Sequence, residues 1–166
     1  MPATDHPYFG RLDSDTGDGV VWEGLLNMNG QQSRIALWTA PGQTFDSAEL
    51  DSFAKQIERL EALDADARAA LRSFLETDGA YIAHHREQLP KGGSLPESAD
   101  AFVRAMRLTD IGLLTRAFAA DENGANDDGD DGYIILDYMI APEESGEILA
   151  VSCDRQGRVI SIDWES

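Results

Sequence analysis

Basic residues, cysteines and long apolar runs are what this chain has least of. Its 166 residues hold 13 Lys and Arg against 31 Asp and Glu, a net charge of −18. Affinity for DNA or RNA rests on cationic groups that displace counterions from phosphates, so no nucleic acid is expected as a partner. Anionic membrane surfaces are disfavoured for the same reason. Cys153 is the single cysteine, which excludes an internal disulfide. Apolar runs stay strand-sized, as in "YIIL", whereas a bilayer crossing needs about 20 apolar residues. The opening "MPATDHPYFG" has no basic region followed by an apolar one, so no secretory signal is expected. Together these absences point to a soluble protein of the reducing cytoplasm.

Catalytic signatures are also missing. No G-x-S-x-G, no Cys with an identifiable His partner and no S-x-x-K stands in a supporting context. No glycine-rich phosphate cradle follows a strand, so no nucleotide cofactor, and no cofactor of any kind, is expected. His84 and His85 are adjacent, about 100° apart on a helix, and cannot chelate one ion from a single face. They read as surface histidines. Carboxylates are so numerous that pairs arise by chance. Asp137 stands out among them because its strand is otherwise apolar, and alternation puts it opposite Leu136 and Tyr138 on a face that water can reach.

What is present is the pattern of one α+β domain spanning residues 1–166, long enough to bury about 70% of its unfolded surface. "VVWEGLLNM" and "SRIALWTA" flank Asn29-Gly30, the strongest short hairpin signal, because both central positions of a type I′ turn need positive φ. In the second strand Ile35 and Leu37 share a face while Trp38 lies on the other, either packed or facing a partner. Asp46 and Glu49 have the spacing of a capping box opening a helix with Leu50, Phe53, Ile57 and Leu60 on its apolar stripe. Asp64 is placed to cap a second helix carrying Ala67, Leu71, Phe74, Leu75 and Ile82, and "SLPESADAFVRAM" opens a third with Phe102, Val103 and Met106 inward. Residues 108–118 fit strand or helix, with Gly112 tilting towards strand. Three strands close the chain, "YIILDYMI", "EILAVSCD" and "RVISIDWE", with Ile160, Ile162 and Trp164 expected on one face of the last. The N-terminal hairpin and a C-terminal antiparallel meander of three to four strands, sharing one sheet or lying apart, carry about three helices on one face.

One stretch has obvious chemical character. "DENGANDDGDDG", residues 121–132, holds six acids and three glycines in twelve positions. With Asn126 as position 1 of a calcium loop, Asp128 and Asp130 fall at positions 3 and 5. The match then fails: Asp131 occupies the glycine position, Gly132 comes one residue late, and position 12 is Asp137 inside a strand. Asn126, Asp128 and Asp130 are weak metal candidates at best, and the run reads as a flexible acidic loop. Asp127, Asp128, Asp130 and Asp131, with Trp38, are candidates for contact with a basic partner.

"HPYFG" at 6–10, the Asn-Gly hairpin and the closing "GRVISIDWES" resemble a family of uncharacterised bacterial proteins, domain of unknown function number two thousand and four. The resemblance implies a small cytoplasmic α+β domain with strands at both ends, and no catalytic residue to carry over. The 121–132 run looks like a departure from that family's compact connection. Charge and missing catalytic motifs together favour a noncatalytic protein-binding domain, most concretely an immunity-type inhibitor paired with a basic toxin by electrostatic steering. The rival reading is an enzyme with a carboxylate-based or metal-assisted site, which requires a concave pocket with converging acidic groups.

Overall fold

The computed structural model describes residues 3–14, 19–90, 94–123 and 132–166. A two-stranded hairpin, β1 (Ala3–His6) and β2 (Gly10–Asp13), precedes a six-stranded sheet. That sheet contains β3 (Val20–Met28), β4 (Gln31–Trp38), β5 (Arg107–Leu114), β6 (Tyr133–Met139), β7 (Ile148–Asp154) and β8 (Val159–Glu165), side by side in chain order. Every neighbouring pair is antiparallel except β4 and β5, which run parallel. Parallel neighbours need a long crossover, and it is supplied here by α1 (Ser47–Glu58), α2 (Leu60–Thr77), α3 (Ala80–Gln88) and α4 (Ala99–Ala105). The Asn-Gly hairpin β3–β4 and the meander are therefore one sheet, and the meander has four strands, β5 to β8. A short α5 (Arg116–Asn123) lies between β5 and β6. The ambiguous 108–118 segment is both things in turn: strand to Leu114, helix from Arg116.

Alternation along the strands decides the layers. Ile35 and Leu37, Ile111 and Leu113, Ile134, Leu136 and Tyr138, and Leu149, Val151 and Cys153 all point to one face and are buried with Leu50, Phe53, Leu71, Leu75 and Phe102 of the helices. Burial raises the Cys153 thiol to about 11, leaving it a small apolar filler. Asn29 (φ 53°) and Gly30 (φ 79°) make the expected turn between β3 and β4.

Several local expectations change. The β1–β2 hairpin carries no strong strand pattern and was not anticipated. His6 explains it: its Nδ1 accepts the backbone N–H groups of Tyr8 and Phe9, while Nε2 bonds Asp51 on α1 at 2.7 Å. The "HPYFG" motif is thus a turn stapled to a helix, with Phe9 edge-on to Trp22 at 4.9 Å. Asp46 caps α1 through the Ala48 N–H, but Glu49 turns away from its expected box partner to accept the N–H of Arg116. Asp64 caps nothing. The helix runs from Leu60 to Thr77, so Leu60 belongs to it and not to α1, and Ile82 lies in the separate α3; Asp64 is buried inside α2, where it accepts from the Tyr138 hydroxyl at 2.6 Å and from Arg68. Arg68 also donates to the carbonyls of Val103 and Met106 at the end of α4, so one buried network ties three elements. The histidines are not all on the surface either: His6 and His85 are buried. In β8 a bulge between Val159 and Ser161 takes Ile160 out of the alternation, leaving it 62% exposed while Ile162 is half-buried and Trp164 is 39% exposed.

Candidate functional site

The helices α1–α4 cover one face of the sheet and leave the centre of the other open. Pairing stacks the outward residues into rows. Arg34 lies beside Asp110, which lies beside Asp137; Ala36 lies beside Gly112, which lies beside Ile135. Trp38 and Leu114 close one end of these rows. The result is a groove of about 710 Å³ with a floor of Ala36, Gly112, Ile135 and Leu114 and a margin of Glu23, Asp110, Asp137 and Glu165. Gly112 makes the groove deep at its middle. A side chain added there would meet only Ile135, at 4.0 Å, and would project into the open space.

The electrostatics are lopsided. Arg34 forks onto Asp110, with Nε at 2.9 Å from Oδ1 and Nη2 at 3.2 Å from Oδ2. Arg34 is well solvated and Asp110 half-buried, so the pair orients Asp110 more than it stabilises the fold. Asp137 has no such help. Its Oδ1 is buried and has no hydrogen-bond partner among the described residues. Its carboxyl is pushed up to about 6, first by desolvation and then by the negative charges of Asp110 and Glu165. A half-buried carboxylate that wants a cation thus sits at the margin of an apolar trough.

A second, smaller recess of about 390 Å³ lies beyond the ends of the parallel pair, lined by Thr39, Glu49, Thr115, Arg116 and Arg155. Thr115 and Thr39 share a hydroxyl hydrogen bond at 3.1 Å. Glu49 accepts the N–H of Arg116 at 2.8 Å and that of Gly132. Burial nonetheless raises its carboxyl above the usual range. Glu49 therefore grips both ends of the segment joining β5 to β6. Gly132 is required by contact: a Cβ there would stand 2.4 Å from the Leu114 carbonyl oxygen. This recess reads as a structural clasp.

His85 and Ser145 form a third polar contact, Nε2 to Oγ at 2.9 Å, with the His85 Nδ1 set against the Tyr81 carbonyl at 2.8 Å. It has the outline of a nucleophile and base. Neither the groove nor the recess opens onto it, and Ser145 Oγ also accepts the N–H of Glu147. Burial holds His85 below the usual imidazole range. The pair pins the β6–β7 connection to α3. No sequence spacing announces it, since sixty residues separate the partners.

Of the candidates read from sequence, Trp38 lies on the open face, half-buried against Phe118 of α5 at a ring distance of 5.6 Å, and lines the groove. The packed alternative therefore holds for it. Asn126, Asp127, Asp128, Asp130 and Asp131 lie outside the described residues. Residues 121–123 form the end of α5 rather than a loop. Among the described residues no group of three or more His, Cys, Asp or Glu is placed to hold a metal. No described helix is long and apolar enough to cross a membrane. Asp110, Glu23 and Glu165 were missed as site residues; the signal for Asp110 was available in β5, where it shares the parity of Gly112 and Leu114. Comparison with family models, curated proteins and solved structures yields no match for this chain.

Proposed function

We propose that the chain is a noncatalytic binding protein for a basic protein, and that the open sheet face is where the partner docks. The observation that carries this reading is the groove itself: an apolar floor uncovered by any described helix, with Glu23, Asp110, Asp137 and Glu165 lining it against one cation, Arg34, which Asp110 already engages. An arginine or lysine stem lies well on such a floor while its head group meets Asp137, whose carboxylate gains the cation it lacks. The overall charge of −18 steers such a partner in from a distance. An immunity-type inhibitor of a basic toxin in the cytoplasm is the most concrete form of the reading, and membership of the uncharacterised family suggested by "HPYFG" and "GRVISIDWES" belongs to the same proposal. The acidic 121–132 run adds to the attracting field.

The test is capture from the source cell by immobilised wild type and by Gly112→Leu, followed by reconstitution of the purified pair. The reading expects a basic protein that wild type holds with salt-sensitive affinity and Gly112→Leu does not, and growth arrest by that protein alone that the chain relieves. A partner held equally by both variants overturns the groove as the docking site.

The paired carboxyls support one second reading, a carboxylate-based enzyme. Arg34 holds the Asp110 carboxyl in place while Asp137 sits near 6, an arrangement suited to passing a proton. It expects turnover whose pH profile inflects near 6 and which Asp137→Asn abolishes.

A further inference from the structure

Both outer edges of the six-stranded sheet lack a described strand partner, and different groups lie near them. At the β3 edge the aromatic turn of the β1–β2 hairpin packs on Trp22 through Tyr8 and Phe9. No described strand lies along the outer edge of β8, whose only strand partner is β7. An unpaired edge offers a row of backbone donors and acceptors to any extended chain that can reach it. Natural edges are blunted by charged side chains, above all lysine, by proline or by bulges, and the acids of β8 guard it against other acidic strands but not against a basic one. β8, "VISIDWE", has neither lysine nor proline, and its bulge lies at its start, so Ser161–Glu165 runs on in regular register with β7.

The side chains say what kind of strand fits. Asp163 and Glu165 are exposed and share the open face, and Glu165 also borders the groove. Trp164, on the opposite face, is fixed by its indole N–H to Glu147 and by ring contact with Tyr81 at 5.1 Å, yet stays 39% exposed. The edge is thus acidic on one face and carries Trp164 on the other.

We propose that the outer edge of β8 receives an extended segment of a basic protein, whose cationic side chains alternate with apolar ones to face Asp163 and Glu165 on one side and Trp164 on the other. The inference rests on the open face being a surface for a basic partner, and it adds the mode of docking: strand addition that extends the sheet and continues onto the groove through Glu165. A second copy is a poor occupant, because it would set two acidic strands and two charges of −18 against each other.

The experiment uses the full chain and a synthetic peptide alternating arginine and valine, beside the same peptide N-methylated along one edge. Methylation keeps charge and side chains and removes strand hydrogen bonding. Hydrogen exchange of the β8 amides is expected to slow about tenfold with the parent peptide and not with the methylated one. Asp163→Arg with Glu165→Arg, both on exposed positions, is expected to remove the effect without loss of fold. Equal protection by both peptides, no protection, or β8 protection that appears with rising protein concentration alone overturns strand addition. If the peptide instead perturbs Trp38 and Gly112 while β8 stays unchanged, strand addition fails and the groove reading stands; if it perturbs neither, both fail.

Discussion

The two faces of the central sheet are made by the same six strands and are chemically opposite. On the covered face, row after row is aliphatic: Ile35 beside Ile111 beside Leu136, then Leu37 beside Leu113 beside Ile134, all at 3% exposure or less. On the open face the same strands present Arg34, Asp110 and Asp137, then Ala36, Gly112 and Ile135. A one-residue shift along any strand exchanges these worlds, so register is strongly specified. The covered face has only one task, burial. The open face spends side-chain volume on small residues at its centre and keeps carboxylates at its margin, which burial alone would not select.

The sharpest way to break this contrast is to make the same truncation count differently. Leu37→Ala, on the covered face, is expected to cost about 2–5 kcal/mol in urea unfolding. A covered-face loss under 1 kcal/mol would mean the core is not where the packing places it. Tyr138→Phe removes a hydroxyl that donates to buried Asp64, and is expected to cost about 1–3 kcal/mol, less than a cavity because Arg68 still serves that carboxylate.

The open face responds with the opposite sign. Asp137 has a raised pKa in the folded chain, about 6, against about 3.9 when unfolded. The native state therefore holds the proton more tightly, and stability falls as pH rises from about 4 to 6. Partial exposure screens the effect to about 1–2 kcal/mol. Asp137→Asn is expected to flatten that slope and to be the more stable form at pH 7, read from urea midpoints across the range. The smallest expected change is Gly112→Val: within about 1 kcal/mol of wild type and of either sign, since a strand gains propensity where a groove is filled. Its value lies in leaving fold intact while closing the groove.

Much of the architecture was legible in periodicity. The Asn29-Gly30 hairpin, the apolar stripes of α1 and α2 and the three closing strands follow from alternation and helical spacing that burial enforces. The parallel β4–β5 contact was not legible, because nothing local encodes which strand a four-helix crossover returns to. Asp64 misled because a helix start and a buried mid-helix acid look alike in sequence; only its contact with Tyr138, 74 residues away, separates them. Asp137 was legible as an oddity in an apolar strand. Asp110 shows its face by parity with Gly112 and Leu114, but its place beside Asp137, like that of Glu165, depends on strand order.

Three tryptophans mark three parts of the molecule: Trp22 at the hairpin, Trp38 in the groove and Trp164 at the β8 edge. Their indole N–H resonances in the labelled chain, followed as the captured basic partner is added, report on all three at once. Trp38 is expected to shift most, in step with the amide of Gly112, while Trp22 stays in place. Saturated binding that moves Trp22 and leaves Trp38 and Gly112 unmoved would contradict docking in the groove.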